Sequence, residues 1–159
     1  MKVLISFYSR TGVTRTVAGD MRDILIGKGM ECEIEDLLDK KNRDGKMGYL
    51  IAGKDALTEK RTEIGDVKHE PKDYDLVILG TPVWAGKMTP ALRTYTETRK
   101  GQFQRTAFFC THGGGGESKT FDNIKDTCGR TPESTLSLKD KDVAEKKHLT
   151  ELKKFVDSL

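Results

Sequence analysis

Apolar residues fall into five short runs separated by stretches of a different period. The runs are KVLISFY (2–8), ECEIEDL (31–37), DLVILG (75–80), TAFFCT (106–111) and STLSL (134–138). Three of these are continuous rather than alternating, the pattern of strands covered on both faces. Between them, apolar positions recur at helical spacing. Val17, Met21, Ile24 and Lys28, with Ala18 and Leu25, form a stripe that GKG at 27–29 ends. A weaker helix is predicted over GYLIAGKDALTEK (48–60), interrupted by Gly53. Thr89 and Pro90 read as an N-cap and first-turn proline opening ALRTYTETRK. Ser118 reads as the cap of a helix that aligns Phe121, Ile124 and Cys128. Asp142 and Glu145 make a capping-box pattern ahead of Leu149, Leu152, Phe155 and Val156.

The resulting order, βαβαβαβαβα, predicts an α/β fold: a three-layer, doubly wound domain with a five-stranded parallel sheet between helices. Residues 39–48 and 61–73 are long polar connections, the second holding a short irregular strand at TEI. No repeat, linker or low-complexity tract interrupts the chain apart from the glycines at 113–116, so residues 1–159 are expected to form one domain.

Composition narrows the function classes. With 159 residues and 35% hydrophobic content, one full core is expected rather than two. Basic residues number 28 against 25 acidic, a net charge of +3, so no nucleic-acid partner is implied. The lysines of KDKDVAEKKHLTELKK lie among acids, as on a solvated helix face. No apolar stretch approaches the roughly 18 residues of a membrane span, and MKVLISFYSR does not read as a leader. A soluble, cytoplasmic protein is expected. Cys32, Cys110 and Cys128 are widely spaced with no Cys-x-x-Cys pair, so they read as small core hydrophobes in a reducing compartment.

Three segments that follow strands carry the candidate chemistry, because open parallel sheets bind ligands at the carboxyl ends of their strands. In SRTGVTRT (9–16), Gly12 permits a tight turn. The hydroxyls of Ser9, Thr11 and Thr14 can donate to phosphate oxygens, and the free N–H groups of the helix that starts here add a positive dipole end. Neither GxxxxGK(S/T) nor GxGxxG is present, which excludes a triphosphatase loop and a dinucleotide fingerprint. Arg10 and Arg15 either add charge to this cradle or face solvent. In GTPVWAGKMTP (80–90), Trp84, the only tryptophan, either stacks on a flat ring or caps the loop. In THGGGGES (111–118), four glycines either bring backbone groups close to a ligand or are flexible filler. His112 either contacts that ligand or caps the strand. No Ser–His–Asp spacing presents itself, and His69, His112 and His148 are far apart, so no nucleophile, general base or metal ligand is expected.

Together these segments resemble the flavodoxin family, and the likeness runs along essentially the whole chain. SRTGVTRT resembles the family's phosphate loop S/T-x-T-G-x-T, DYDLVILGTPVWAGKMTPALRTY its third strand and tryptophan loop, and FFCTHGGGGES its second flavin loop. The resemblance implies strand order 2-1-3-4-5 and flavin mononucleotide (FMN) as cofactor. On this basis Ser9, Arg10, Thr11, Gly12, Val13 and Thr14 would wrap the phosphate. Thr81, Pro82, Val83, Trp84, Ala85 and Gly86 would serve one side of the isoalloxazine ring. Thr111, His112, Gly113, Gly114 and Gly115 would line its pyrimidine side, with Glu117 close by.

The function implied is FMN-dependent electron transfer between redox partner proteins, through the semiquinone and hydroquinone states of the flavin. Two alternatives stay open: an FMN-dependent NAD(P)H oxidoreductase reducing quinones, nitro compounds or flavins, and a non-catalytic FMN-binding interaction module. The sequence offers no nicotinamide-binding element, which favours the carrier. The chain departs from the family in three ways. It is not acidic, Ala85 stands where a glycine often follows the loop tryptophan and lets a peptide flip, and the second flavin loop carries no tyrosine.

Overall fold

Successive side chains of a strand point to opposite faces of a sheet, and in this protein both faces are apolar. Val3, Ile5, Ile78, Ala107 and Phe109 lie in one buried cluster, whereas Leu4, Val77, Leu79 and Phe108 lie in another. Such strands need cover on both sides, and helices supply it.

The computed structural model describes residues 1–159. In chain order its elements are β1 (Lys2–Phe7), α1 (Val13–Gly27), β2 (Glu31–Asp36), α2 (Gly45–Leu57), β3 (Leu76–Pro82), α3 (Pro90–Thr98), β4 (Arg105–His112), α4 (Glu117–Cys128), β5 (Thr135–Lys139), α5 (Asp140–Ala144) and α6 (Leu149–Asp157). The sheet has the order β2-β1-β3-β4-β5, and every pair is parallel. This is the predicted architecture. Helices α1, α5 and α6 cover one face through Met21, Leu25, Val143, Leu152 and Phe155. Helices α3 and α4 cover the other through Leu92, Tyr95, Ile124 and Cys128. Gly80 is required by close packing, because a Cβ there would fall 2.1 Å from the Phe109 ring. The three cysteines are buried, and burial pushes the Cys32 thiol up to about 11 and that of Cys110 to about 12.

Several boundaries differ from expectation. Thr89 caps α3 as predicted, accepting the Leu92 N–H at 3.5 Å ahead of Pro90. Ser118 caps nothing: α4 starts one residue earlier, after left-handed Gly116. The expected single C-terminal helix is two, separated where Lys146 takes a φ of 57°, and Asp142 lies within α5 rather than capping a helix. Ile64 of TEI forms one antiparallel bridge with Asp39. Helix α2 runs through Gly53 and starts three residues before the predicted helix. It belongs to neither core cluster. Ile64, Val67 and Tyr74, from the connection after α2, pack on the second cluster instead. No helix is long and apolar enough to cross a membrane.

Candidate cofactor site

The chain leaves β1 at Tyr8, whose N–H still donates to the Gly80 carbonyl at 3.3 Å. The next residues fold back on Ser9. Its Oγ accepts the N–H groups of Gly12 at 3.1 Å and of Arg15 at 3.3 Å, while Gly12 adopts a φ of 98°, where a Cβ would be strained. As a result the N–H groups of Arg10, Thr11, Val13 and Thr14 have no acceptor in the protein. Free donors at the start of a 15-residue helix make an anion cradle. Thr14 is buried, and its hydroxyl lies 2.8 Å from that of Thr111 at the end of β4. Only one of these two hydroxyls can spend its proton on the other, so the second keeps a donor.

The tryptophan loop is tied to β4 by the Val83 N–H, which donates to the Thr111 carbonyl at 2.8 Å. Trp84 and Lys87 exchange two backbone bonds of 2.9 Å around Ala85 (φ 49°) and Gly86 (φ 73°). Positive φ at both central residues defines a type I′ turn. Trp84 meets the Tyr8 ring edge to face at 5.4 Å, and the Arg43 guanidinium carbon stands 5.6 Å from its centroid. Arg43 is itself buried: Nε donates to Asp39 at 2.6 Å, Nη1 to Asp55 at 3.0 Å, and Nη2 has no hydrogen-bond partner. The indole face offers the guanidinium a weak electrostatic partner. Burial alone would lower the Arg43 pKa, but its bonds to Asp39 and Asp55 outweigh this and hold it above its ordinary value.

In the glycine loop, His112 is 8% exposed. Its Nδ1 accepts the Gly115 N–H at 2.7 Å, which places the proton of the neutral ring on Nε2, bonded to Ser137 Oγ at 2.8 Å. Both ring nitrogens are thus engaged, and His112 is a strand-end anchor for the loop. Gly116 packs tightly on the tryptophan loop: a Cβ there would lie 2.9 Å from Val83 Cγ1.

The three loops converge on a cavity of 260 Å³. Ser9, Arg10, Thr11, Val13 and Thr14 line one wall, Pro82, Val83 and Trp84 a second, and Thr111, His112 and Gly113 a third. Gly12 shapes the first loop from outside the cavity wall. Thr81 is fully buried behind the second loop, donating to the Pro82 carbonyl at 2.8 Å and accepting the Thr89 N–H at 3.1 Å. Ala85, Gly86, Gly114, Gly115 and Glu117 lie outside the walls. The Arg10 side chain is committed to the carbonyls of Arg43 (2.9 Å) and Gly45 (3.3 Å), and Arg15 to Asp36 at 2.5 Å. Neither guanidinium is held free for a phosphate.

Two wall residues escaped the sequence reading, Tyr49 and Asp140. Asp140 follows β5 directly, so the rule that pointed to the other strand ends reaches it too. Burial holds its carboxyl above the ordinary range, with His112 acting in the opposite sense. Tyr49 had no such signal, because it comes from a helix outside the core. Four free amides, three threonine hydroxyls and an indole around one cavity fit a phosphate joined to a flat ring.

A family model described as Flavodoxin matches residues 2–159. The chain belongs to the flavodoxin family. No curated protein matches the sequence. Among solved structures, a flavoprotein in complex with FMN from Lactobacillus acidophilus NCFM is 20% identical, with 91% of this chain and 97% of that one covered at a TM-score of 0.66. Oxidised flavodoxin 1 from Bacillus cereus is 16% identical, covering 100% and 99% of the two chains at 0.59. Rubredoxin oxygen:oxidoreductase from Desulfovibrio gigas is 17% identical, and the match spans 99% of this chain but 34% of that one, at 0.67. At these identities the likeness establishes the flavodoxin-like fold.

Proposed function

We propose that the protein binds FMN and carries electrons between redox proteins. One observation carries the reading: the unsatisfied N–H groups of Arg10, Thr11, Val13 and Thr14 stand at the same small cavity as Trp84. These amides, with the hydroxyls of Ser9, Thr11 and Thr14, hold the phosphate. Trp84, with Pro82 and Val83, flanks the ring. Backbone groups of residues 112 and 113, at the cavity wall, bond its polar edge, and the His112 ring keeps the loop in register. Family membership and the fold shared with a flavoprotein bound to FMN support this assignment. FMN supplies the one- and two-electron chemistry; the chain orients it and limits access to it.

One feature favours the alternative of an NAD(P)H-dependent reductase. The wall of residues 111–113 has no tyrosine, phenylalanine or tryptophan, and its one imidazole is held by Gly115 and Ser137, which leaves room for a second planar ligand. Two measurements separate the readings. FMN fluorescence is expected to be quenched at micromolar protein, and unquenched fluorescence rules out the site itself. An anaerobic redox titration of the holoprotein is then expected to give two resolved one-electron steps. A single two-electron wave with rapid NADPH oxidation would assign the reductase instead, and bound flavin that exchanges no electrons would leave an interaction module.

A further inference from the structure

Helix α2 is turned inside out. It buries Gly48, Ala52, Asp55 and Ala56, whereas Met47, Tyr49, Leu50 and Leu57 are 69, 66, 64 and 61% exposed. Core helices do the reverse. What fastens α2 is polar and close: Asp55 bonds both Arg43 and Lys41, and Gly48 lies so near the chain that a Cβ would fall 2.2 Å from the Arg43 carbonyl carbon. The large apolar side chains are therefore not needed to hold the helix. Tyr49, Leu50 and Leu57 line one groove, and an exposed apolar surface of this kind marks an interaction site.

Its position and charge indicate the partner. An apolar groove of 340 Å³ runs from Tyr49, Leu50 and Leu57 to Val83, Trp84 and Ala85. Tyr49, Val83 and Trp84 also wall the cofactor cavity, so groove and cavity share a rim. Arg10, Lys46 and Lys54 border the groove and the shallow cleft beside it, where no carboxylate appears. None of the three takes part in an ion pair, unlike nearby Lys40, Lys41 and Lys87. The surface is an apolar centre with an uncompensated cationic rim.

The geometry points to this face of α2 as the docking surface for an acidic one-electron redox protein, whose carboxylates surround an apolar patch over its own redox centre. The inference rests on the FMN carrier reading, and it specifies the partner's charge. Each encounter passes one electron from the partner's reduced centre to the bound flavin. Full reduction consumes two encounters and takes protons from water. A second copy of the chain fits poorly, because a two-fold interface would set Arg10, Lys46 and Lys54 against their own copies. A bilayer laid on this face would cover the cavity mouth.

The test uses the FMN-loaded protein and a reduced, acidic [2Fe–2S] ferredoxin as donor, with flavin reduction followed by stopped flow. In the wild type the second-order rate is expected to fall steeply with salt, as steered encounters do. Lys46→Glu with Lys54→Glu is expected to lower it by about tenfold or more at low salt, and Leu50→Ser to lower it at all salt concentrations. FMN affinity and reduction by dithionite should stay at wild-type values in these variants. A ferredoxin rate that is absent or insensitive to salt in the wild type, or unchanged by the charge reversal, overturns the docking surface. So does a dimer, or binding to phosphatidylserine vesicles, that Leu50→Ser abolishes. Loss of FMN binding in the wild type would instead sink the cofactor reading, so the two failures are distinct.

Discussion

With φ of 49° at Ala85 and 73° at Gly86, both central residues of the turn after Trp84 are left-handed, a conformation that a Cβ disfavours at the first of them. Ala85→Gly is therefore expected to stabilise the protein by roughly 1 kcal/mol, read as a higher urea midpoint with unchanged slope. The substitution does more than relieve strain. Turning over the peptide between the two residues would convert the type I′ turn to type II′, which requires glycine at its first central position. Ala85 thus locks the turn, and a glycine in its place would free the carbonyl at this position to reorient beside the cavity. A wider separation of the two one-electron potentials in the glycine variant is the expected redox signature; identical potentials would mean that this carbonyl stays clear of the flavin. At this scale the sequence was readable wherever residue type was unusual, as at Gly12 and Trp84. Arg43 was not readable, because Asp39, Asp55 and Trp84 come together around it only in the folded chain.

Among the elements, strands were legible because continuous apolar runs have few other uses, and each predicted strand lies within about two residues of the observed one. Helix α2 was legible only in part. Its apolar residues face outward, so periodicity could not mark the core side, and its anchor is electrostatic. Removing that anchor is informative. Arg43→Met leaves the Asp39 oxygen it paired with unsatisfied, although Lys41 still holds Asp55. A loss of about 3 kcal/mol is expected, the lower end for breaking a buried pair. Because Trp84 is the only tryptophan, its emission should shift in the apoprotein at the same time. The pH dependence has a definite sign. Burial alone would raise the Asp55 carboxyl, but hydrogen bonds from Lys41 and Arg43 hold it below its ordinary range. Its contribution is therefore present above the unfolded pKa of about 3.9 and is lost as pH falls through the lower folded value. The variant should show a weaker acid-side loss of stability than the wild type. An unchanged stability and emission would mean that Arg43 supports neither α2 nor the indole.

At the scale of the whole molecule, function follows from topology. Strand order 2-1-3-4-5 puts β1 beside β3 and β3 beside β4, so three loops far apart in sequence end at one edge, and Phe7 pairs with Gly80 as Pro82 pairs with Thr111. Loop chemistry and element order together made the site's location legible, whereas the contribution of α2 to its rim depended on tertiary packing. Such a site exists only in the native state, so FMN should stabilise the fold by mass action. At 100 times its dissociation constant a ligand adds about 2.7 kcal/mol. For a chain of this length each kcal/mol moves Tm by about 2–4 °C, so a rise of roughly 5–11 °C is expected by calorimetry. Riboflavin separates the two halves of the site, because it keeps the ring and lacks the phosphate. It leaves the amides of Arg10, Thr11, Val13 and Thr14 without an acceptor and at the same concentration should give a much smaller shift. If riboflavin matched FMN, the ring would be held without help from the SRTGVTRT loop, and the anion cradle would have no part in binding.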